Sequence, residues 1–257
     1  MRLRVSARML ATILISFVAS LPTFAAGTST TGPGSALSLM AASFSNGAPI
    51  GSVQLSGTIS RSSGSSSDSG PITLTASADG SAKIGFQLSD GARTESQTAA
   101  NATRTCQWSG PDGIVHDSSS SNCWPALVWF LPQISLQPGL ISPSVSTSNA
   151  LTQSTAAATV YVIQNQLITA SVVKNPDAAA QIQNLSRTTL YIDAATLLPS
   201  VLDYEIQSDS GSTKIAVEIR YSNYQHFGGL VVPGHIERYL NGGLEFAIDV
   251  AQATVLN

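Results

Sequence analysis

The C-terminal part of the chain constrains the fold most, because polar and apolar side chains alternate there over three consecutive stretches. Residues 214–221 show the period of two that is typical of a strand with one buried face. Residues 222–229 turn the chain, and residues 230–240 run back as a second strand. Asn241-Gly242 favours a tight hairpin that leads into the third strand, residues 244–250. These features predict an antiparallel meander with one face exposed to solvent.

Shorter alternating runs precede the meander and predict further antiparallel strands. Asp79-Gly80 and Asp90-Gly91 are typical hairpin sequences, and the Ser- and Gly-rich residues 61–70 indicate a mobile loop. Residues 136–151 also have the composition of a loop, and residues 164–166 indicate a turn between two strands. The predicted strands before the meander are residues 53–60, 72–78, 82–88, 92–98, 103–108, 159–163, 167–173, 188–192 and 200–208.

Three short helices are predicted between the strands. Residues 35–44 begin at a serine N-cap, stop at Asn46-Gly47 and carry one apolar stripe. Residues 177–185 form a second helix. Residues 122–131 form a third, because Pro125 suits a first helical turn. Its bulky apolar side chains cannot all face one way, so this helix is buried on two sides or borders an apolar space. The stripe of the first helix consists of Leu37, Met40, Ala41 and Phe44.

Residues 1–26 have the three parts of a secretory signal peptide. Three arginines precede the apolar residues 9–21, and small side chains follow that suit cleavage after Ala25 or Ala26. The apolar run is shorter than the roughly 20 residues that a membrane-spanning helix needs. We therefore expect a soluble periplasmic or secreted protein with no transmembrane segment after signal removal.

The part that remains after signal removal is acidic. The whole chain has 12 Lys and Arg against 15 Asp and Glu, and the signal peptide removes three of the arginines, which leaves a net charge of −6. This balance argues against nucleic acid as a partner and against attachment to anionic membranes. Residues 27–34 are predicted to be a flexible lead-in, and residues 35–257 a single domain. No cofactor motif occurs in the sequence, so we expect no cofactor. We also expect a monomer.

The two cysteines, Cys106 and Cys123, are predicted to form a structural disulfide. Thiols pair in the oxidising conditions that an exported protein meets. Closing a loop of about 17 residues contributes about 3 kcal/mol in the chain-entropy model. A catalytic or metal-binding pair would need Cys-x-x-Cys spacing or neighbouring histidines, and the sequence has neither.

Two C-terminal motifs indicate a family. Residues 191–199 combine the end of a strand with an aspartate turn and a Leu-Pro pair, and residues 220–237 combine a Ser-Asn-Tyr turn with a Gly-Gly-Leu-Val-Val-Pro strand entry. These motifs follow an N-terminal amphipathic helix and a run of hairpins. In this order of parts the chain resembles the outer-membrane lipoprotein carrier (LolA-like) superfamily, most clearly over residues 188–256.

The resemblance implies a mainly β fold. It is a single curved antiparallel sheet, an incomplete β-barrel, with short helices packed on its concave face. The resemblance also implies that this face binds acyl chains or an apolar segment of a partner. The sequence shows no evident counterpart of the carrier's inward-facing arginine, and the serine-rich residues 61–70 and the disulfide look like local additions.

The bulky residues of the predicted helix 122–131 are the candidate ligand-binding residues. They either plug a core or line and cover an apolar cavity, which suits lipids. Residues that cover an open cavity would bury only part of their surface. The disulfide would tether this lid to a strand. The candidates are Trp124, Leu127, Trp129, Phe130 and Leu131.

The sequence predicts an exported lipid- or lipoprotein-binding, carrier-like protein with an apolar cavity, whose partner is an acyl chain or an acylated protein. The alternative is a non-enzymatic structural or protein-interaction β-domain of the periplasm, in which the aromatic helix is packed solid. Catalysis is not expected, because no Gly-x-Ser-x-Gly nucleophile elbow occurs. His235 and Glu237 share the face of a strand, but such a pair is more often a surface contact than a metal site.

Overall fold

The computed structural model describes residues 33–63, 66–100, 103–123, 129–135, 147–154, 159–166, 175–185, 187–207 and 213–256. Within them the chain forms thirteen strands and four helices. The strands are β1 (Ser52–Ser63), β2 (Ser66–Ser77), β3 (Ala82–Leu88), β4 (Gly91–Ala100), β5 (Thr103–Ser109), β6 (Val115–Asp117), β7 (Thr147–Ser154), β8 (Thr159–Gln166), β9 (Arg187–Asp193), β10 (Pro199–Gln207), β11 (Lys214–Phe227), β12 (Leu230–Leu240) and β13 (Gly243–Leu256). The helices are α1 (Pro33–Ser45), α2 (Ser120–Cys123), α3 (Pro132–Ser135) and α4 (Pro176–Leu185).

The described strands form one antiparallel sheet in the order β6-β5-β4-β3-β2-β1-β13-β12-β11-β10-β9-β8-β7. Strands that follow each other in sequence lie side by side, and β1 pairs with β13 to join the two halves. Among the described strands, β6 and β7 are the two free edges, so the sheet does not close. The predicted fold class, a mainly β protein with an unclosed antiparallel sheet, is confirmed.

The sheet is strongly curved. β4 and β12 are five positions apart in the sheet order, and strands lie about 4.8 Å apart, so a flat sheet would separate these two by about 24 Å. Glu95 on β4 and Arg238 on β12 nevertheless line one cavity, together with Tyr204 on β10. The sheet therefore bends back on itself, and its concave face encloses the core.

A glycine marks one place where the sheet bends. The register between β1 and β13 shifts at Gly57, and a Cβ atom there would collide with the carbonyl oxygen of Asp249. Only glycine therefore fits this close approach of two backbones. Such irregularities increase local twist and bending, and this one adds to the curvature beside the junction of the two halves.

Helix α1 lies on the concave side and agrees with its prediction. Leu37, Met40 and Phe44 are buried at one helical spacing. The helix begins at Pro33, two residues before the predicted start and within the predicted lead-in. It ends where Asn46 and Gly47 take positive φ values of 52° and 78°, and the Gly47 N–H donates to the Ala42 carbonyl oxygen at 3.0 Å, as in a Schellman cap. No helix among the described residues is long and apolar enough to cross a membrane.

The predicted mobile loop at residues 61–70 is wrong. Within it, residues 61–63 extend β1 and residues 66–70 extend β2, with Arg61 opposite Asp68. The hydrogen bonds of a ladder join main-chain groups, so serine and glycine residues can continue a strand without any apolar alternation. The Asp68 carboxylate also accepts hydrogen bonds from the N–H and hydroxyl of Ser89 at 3.0 and 2.7 Å.

Three other predictions fail because the pairing of strands through main-chain groups does not require alternating apolar side chains. Residues 147–151, predicted as loop, belong to β7. Residues 164–166, predicted as a turn, end β8, and each pairs with a residue of β9. Residues 222–227, predicted as part of a turn, continue β11, so that only Gly228-Gly229 separates it from β12. These strand segments carry many polar side chains, so the alternation of apolar and polar residues does not reveal them.

Candidate ligand-binding site

The interior of the curved sheet holds the hydrophobic core. Helix α1 covers part of it, and residues 129–134, here called the plug segment, fill another part. Four apolar side chains of the plug segment are completely buried, namely Trp129, Phe130, Leu131 and Ile134. The wall consists of alternate apolar residues of the strands, among them Val53, Leu55, Ile59, Ile72, Leu74, Ile84, Leu190, Leu202, Ile219, Val232, Ile236 and Ile248.

The predicted ligand-binding residues fall into two groups. Trp124 and Leu127 lie outside the described residues. Trp129, Phe130 and Leu131 lie in the plug segment between α2 and α3, where the chain is not helical. The predicted helix is therefore wrong over these three residues. Their side chains are 0 % exposed, so the expectation that lid residues bury only part of their surface is also wrong for them. An irregular backbone lets three consecutive bulky side chains find different neighbours, which one helical face cannot do.

The plug segment is well packed but incompletely hydrogen-bonded. The Tyr221 hydroxyl donates to the carbonyl oxygen of Trp129. The Trp129 Nε1 atom and both polar side-chain atoms of Gln133 are buried and form no hydrogen bond of normal geometry with a described residue. Burial raises the pKa of Tyr224 well above its ordinary value, and the neighbouring Gln133 side chain lowers it only in part. Each unsatisfied buried group costs about 1–3 kcal/mol, so apolar packing is what holds this segment.

Four polar side chains, here called the polar cluster, meet at one end of the interior. They come from four strands: Glu95 from β4, Tyr204 from β10, Arg238 from β12 and Glu245 from β13. The Arg238 Nε atom lies 3.2 Å from Glu245 Oε2. The Tyr204 hydroxyl is buried and has no hydrogen-bond partner among the described residues. An ion pair and an unpaired hydroxyl therefore stand inside an otherwise apolar interior.

Aromatic rings enclose the guanidinium group of Arg238. Its central carbon lies 5.7 Å from the centroid of the Trp129 ring and 5.5 Å from that of Phe246. The two rings are 5.7 Å apart, and the Arg238 side chain is only 12 % exposed. A cation over aromatic faces gains about 0.5–2 kcal/mol. The plug segment thus contacts the charged end of the interior directly.

Burial governs the protonation of the polar cluster. It raises the pKa of Glu95, which Arg238 lowers in part and Glu245 raises further. It also raises the pKa of Tyr204, so that the hydroxyl stays neutral. Burial lowers the pKa of Arg238, but Tyr204, Glu245 and Glu95 outweigh it and raise that pKa on balance. The cluster therefore combines a permanent cation with a carboxyl group, Glu95, that ionises reluctantly.

A cavity of about 140 Å³ adjoins the polar cluster. Trp108 forms part of its wall and stacks on His116, with ring centroids 4.3 Å apart. The lining includes Glu95, Cys106, Trp108, Asn122, Tyr204 and Arg238.

The disulfide and an amide hold this end of the interior together. Cys106 on β5 is bonded to Cys123 at the end of α2, as predicted. The Asn122 amide donates to the carbonyl oxygen of Gln207 at 2.7 Å, and the Gln207 N–H donates back to Asn122 Oδ1 at 2.9 Å. β5 and β10 are eight positions apart in the sheet order. Helix α2 therefore links two distant strands across the concave side.

Sequence reasoning missed the buried arginine. It named no inward-facing arginine, but the Arg238 side chain is only 12 % exposed and lies over the Trp129 ring. The signal was present in the alternation of β12, where Val232, Ile236 and Arg238 are on the same face of the strand and the first two are fully buried. A charged residue at an inward position breaks the apolar pattern, and Glu95 on β4 is a second case.

The other titratable candidates lie away from this interior. His235 Nδ1 is 2.6 Å from Asp249 Oδ1, and His235 Nε2 is 3.6 Å from Glu237 Oε1. Asp249 is 70 % exposed, so this is a surface contact. No group of residues within the described ranges has the arrangement of a metal site. A larger recess of about 680 Å³ beside β9, β10 and β11 is lined mostly by charged and polar residues, among them Asp203 and Glu218.

No protein-family sequence model matches this chain, and no curated protein matches it in sequence. Solved structures do match its fold. A LolA superfamily protein from Nitrosomonas europaea is 12 % identical, with a TM-score of 0.53 over 87 % of this chain and 94 % of that one. A DUF1329 family protein from Desulfovibrio piger is also 12 % identical, with a TM-score of 0.53 over 88 % and 94 %.

A third similar structure is the domain of an outer membrane lipoprotein-sorting protein from Vibrio parahaemolyticus. It is 9 % identical, with a TM-score of 0.50 over 80 % of this chain and 86 % of that one. The resemblance to the LolA-like superfamily is thus confirmed at the level of the fold. At such low identity the likeness concerns the fold alone, because specific ligand contacts depend on side chains that these proteins do not share.

Proposed function

We propose that this chain, which has the fold of LolA-like carriers, binds an acyl chain or the acylated end of a protein between its curved sheet and α1. The single observation that carries this proposal is the plug segment. Four completely buried apolar side chains occupy the interior, yet the Trp129 indole and the Gln133 amide there form no hydrogen bond of normal geometry with described residues. A segment held mainly by apolar packing, with one hydrogen bond from Tyr221 to the Trp129 carbonyl oxygen, is one that an apolar ligand can replace.

The energetics of such a replacement are balanced. Burying an acyl chain contributes about 0.8 kcal/mol of binding free energy per methylene. About ten methylenes therefore contribute roughly 8 kcal/mol, before the entropic cost of association is subtracted. The departing plug segment exposes apolar surface of comparable size, but its unsatisfied polar groups regain water. The ligand then shifts the equilibrium from molecules whose interior holds the plug segment to molecules whose interior holds the acyl chain.

Two further elements belong to this proposal. The predicted signal peptide would place the protein in the periplasm or outside the cell, where an acylated protein or a free lipid is an available partner. The protein would act by binding rather than catalysis, as a monomer and without a cofactor. The chain contains 15 Asp and Glu, and an anionic membrane surface repels an acidic protein. This composition favours a protein that leaves such a membrane with its bound ligand over one that stays attached to the membrane.

The alternative, a structural or protein-interaction domain, is favoured by the complete burial of Trp129, Phe130 and Leu131. In that case the plug segment is permanent core and no ligand enters. The two proposals differ in what the purified protein carries and in whether it takes up an acyl probe.

Native mass spectrometry of protein purified from a bacterial periplasm tests the proposal. We expect a species heavier than the polypeptide that loses the extra mass on denaturation, and uptake of added n-dodecanoate, n-dodecanol or n-dodecylamine by stripped protein. Identical native and denatured masses, together with no uptake of any of the three probes, would leave the packed-domain alternative.

A further inference from the structure

The cavity of about 140 Å³ is bounded by polar groups from opposite walls of the curved sheet. Glu95 and its cross-strand neighbour Trp108 come from one wall, while Tyr204 and Arg238 come from the other. Because the plug residue Trp129 packs against Arg238, the cavity and the plugged interior are adjacent. A ligand whose chain replaces the plug segment would bring its head group to this cavity.

Acidic side chains outnumber basic ones in the polar cluster beside the cavity. Arg238 is the one buried cation of the cluster, and its Nε atom already lies 3.2 Å from the Glu245 carboxylate. Glu95 is a second carboxyl group that acts on the same arginine. One cation against two carboxyl groups leaves one acid without a counter-ion. A buried carboxylate is stable only when a cation or several donors accompany it.

An unpaired hydroxyl group lies beside this surplus acid. Tyr204 is 5 % exposed and lines the cavity, and its hydroxyl has no hydrogen-bond partner among the described residues. Buried hydroxyl groups without partners are rare, and a specific one in a cavity wall points to a ligand. The Trp108 ring adds an aromatic wall of the kind that stabilises cations.

We infer that this cavity receives a protonated primary amine, the head group of an acyl ligand whose chain replaces the plug segment. The inference rests on the proposed function and adds the head-group class to it. The ammonium donates to the Glu95 carboxylate and to the Tyr204 oxygen, and it replaces the proton that Glu95 holds in the empty site, so the charges of the cluster stay balanced. An anionic head group would lie beside the Glu245 carboxylate, which is already 3.2 Å from Arg238 Nε, and it would repel an ionised Glu95, so it gains no new ion pair with Glu95.

The preference depends on pH in a defined direction. The groups that act on Glu95 are Arg238 on β12 and Glu245 on β13, and the Tyr204 hydroxyl on β10 is neutral. Burial raises the pKa of Glu95, so the empty site holds a proton that an incoming ammonium must displace. Amine affinity therefore rises as pH rises towards the raised pKa of Glu95, while an aliphatic amine with a pKa of about 10 stays charged.

Titration of stripped protein with three probes of equal chain length tests this inference. We expect n-dodecylamine to bind about thirtyfold or more tightly than n-dodecanoate, since losing one partner of a buried charge pair has at least that effect on affinity. We expect n-dodecanol to lie between them and to show no pH dependence. Lysophosphatidylethanolamine and lysophosphatidylglycerol, which share a phosphate and differ in the amine, show whether the amine of a phospholipid is accepted or only a free one.

Two variants and a matched control complete the test. Glu95→Gln keeps the shape of the side chain, and we expect it to abolish the preference for the amine and its pH dependence. Tyr204→Phe should weaken amine binding and leave n-dodecanol binding unchanged. Glu205→Gln changes an acid on the same strand as Tyr204, but that acid is 46 % exposed and pairs with Lys214, so it should retain the preference.

The outcomes separate this inference from the proposed function. Equal affinities for all three probes, or tighter binding of n-dodecanoate, would overturn the amine site and leave acyl binding in place. The same holds if Glu95→Gln retains the preference in a folded protein. Absence of binding for every probe would overturn both.

Discussion

The closing meander, β9 to β13, and the plug segment differ in how their positions are determined. In the meander each strand lies beside its neighbour in sequence, and alternate residues such as Ile219, Ile236 and Ile248 are completely buried. The plug segment has equally buried residues, but its contacts come from strands far away in sequence, such as Tyr221 and Phe246. Two regions that are equally buried are therefore not held in position equally strongly. The meander is fixed by a ladder of main-chain hydrogen bonds, and the plug segment is held mainly by side-chain packing and by the hydrogen bond from Tyr221.

Paired truncations test this difference and carry the largest expected effect. Ile248→Ala should lower the free energy of unfolding by about 2–5 kcal/mol, as is usual for a fully buried aliphatic residue. Trp129→Ala removes far more side chain, yet it should cost no more than Ile248→Ala, because it also removes the unpaired indole N–H. Urea denaturation measures both. A much larger loss for Trp129→Ala would make the plug segment ordinary core.

The disulfide should be the next largest contribution. Replacing Cys106 and Cys123 by serine should lower the free energy of unfolding by about 3 kcal/mol, since the bond closes a loop of about 17 residues. The meander contains no cysteine, so its packing should be unaffected. Urea curves with and without a reductant give the difference for the native protein. If reduction leaves the urea midpoint unchanged, α2 is held by Asn122 and packing rather than by the bond.

Glu95 should make stability depend on pH with an unusual sign. Its pKa is raised in the folded state by burial, so the folded protein holds a proton that the unfolded chain releases. Stability from this group is present at low pH and is lost as pH rises from the unfolded pKa through the raised folded pKa, by at most about 1.4 kcal/mol per pH unit. Glu95→Gln should therefore stabilise the protein near neutral pH. Urea midpoints that respond equally in Glu205→Gln would assign the effect to net charge.

The smallest effect should come from the outer face of the meander. Lys214 and Glu205 form an ion pair of 2.8 Å, but their side chains are 59 % and 46 % exposed. Water screens such pairs, and each contributes about 0–1 kcal/mol. Lys214→Ala should change the urea midpoint very little and should leave probe binding unchanged. A loss as large as that of Ile248→Ala would show that the outer charges help to fix the meander.

The same comparison explains what the sequence could predict. Alternation located β9 to β13, the first hairpins and α1, because in those elements one face is apolar and the other is not. It missed β7, the end of β8 and residues 222–227, since main-chain pairing there needs no apolar side chain. Asn223, with a φ of 51°, further interrupts the regular alternation of β11.

The site was harder to predict than the sheet. The concentration of bulky apolar residues drew attention to Trp129, Phe130 and Leu131, which are completely buried, but their irregular backbone depends on contacts distant in sequence. The polar cluster was missed because Glu95, Tyr204, Arg238 and Glu245 come together only when the sheet curves. Single inward charges in two strands give no local sign that they will meet.

The central claim is that an acyl ligand enters by displacing the plug segment, and the Tyr221 hydroxyl provides the most direct measurement. Tyr221→Phe removes its hydrogen bond to the Trp129 carbonyl oxygen, which is worth about 1 kcal/mol net. Weakening the plugged state by that amount should raise the affinity for n-dodecanol about fivefold. Tyr239→Phe, which removes a hydroxyl bonded to Glu237 on the outer face, should leave the affinity unchanged. An unchanged or lower affinity in folded Tyr221→Phe would contradict displacement of the plug segment.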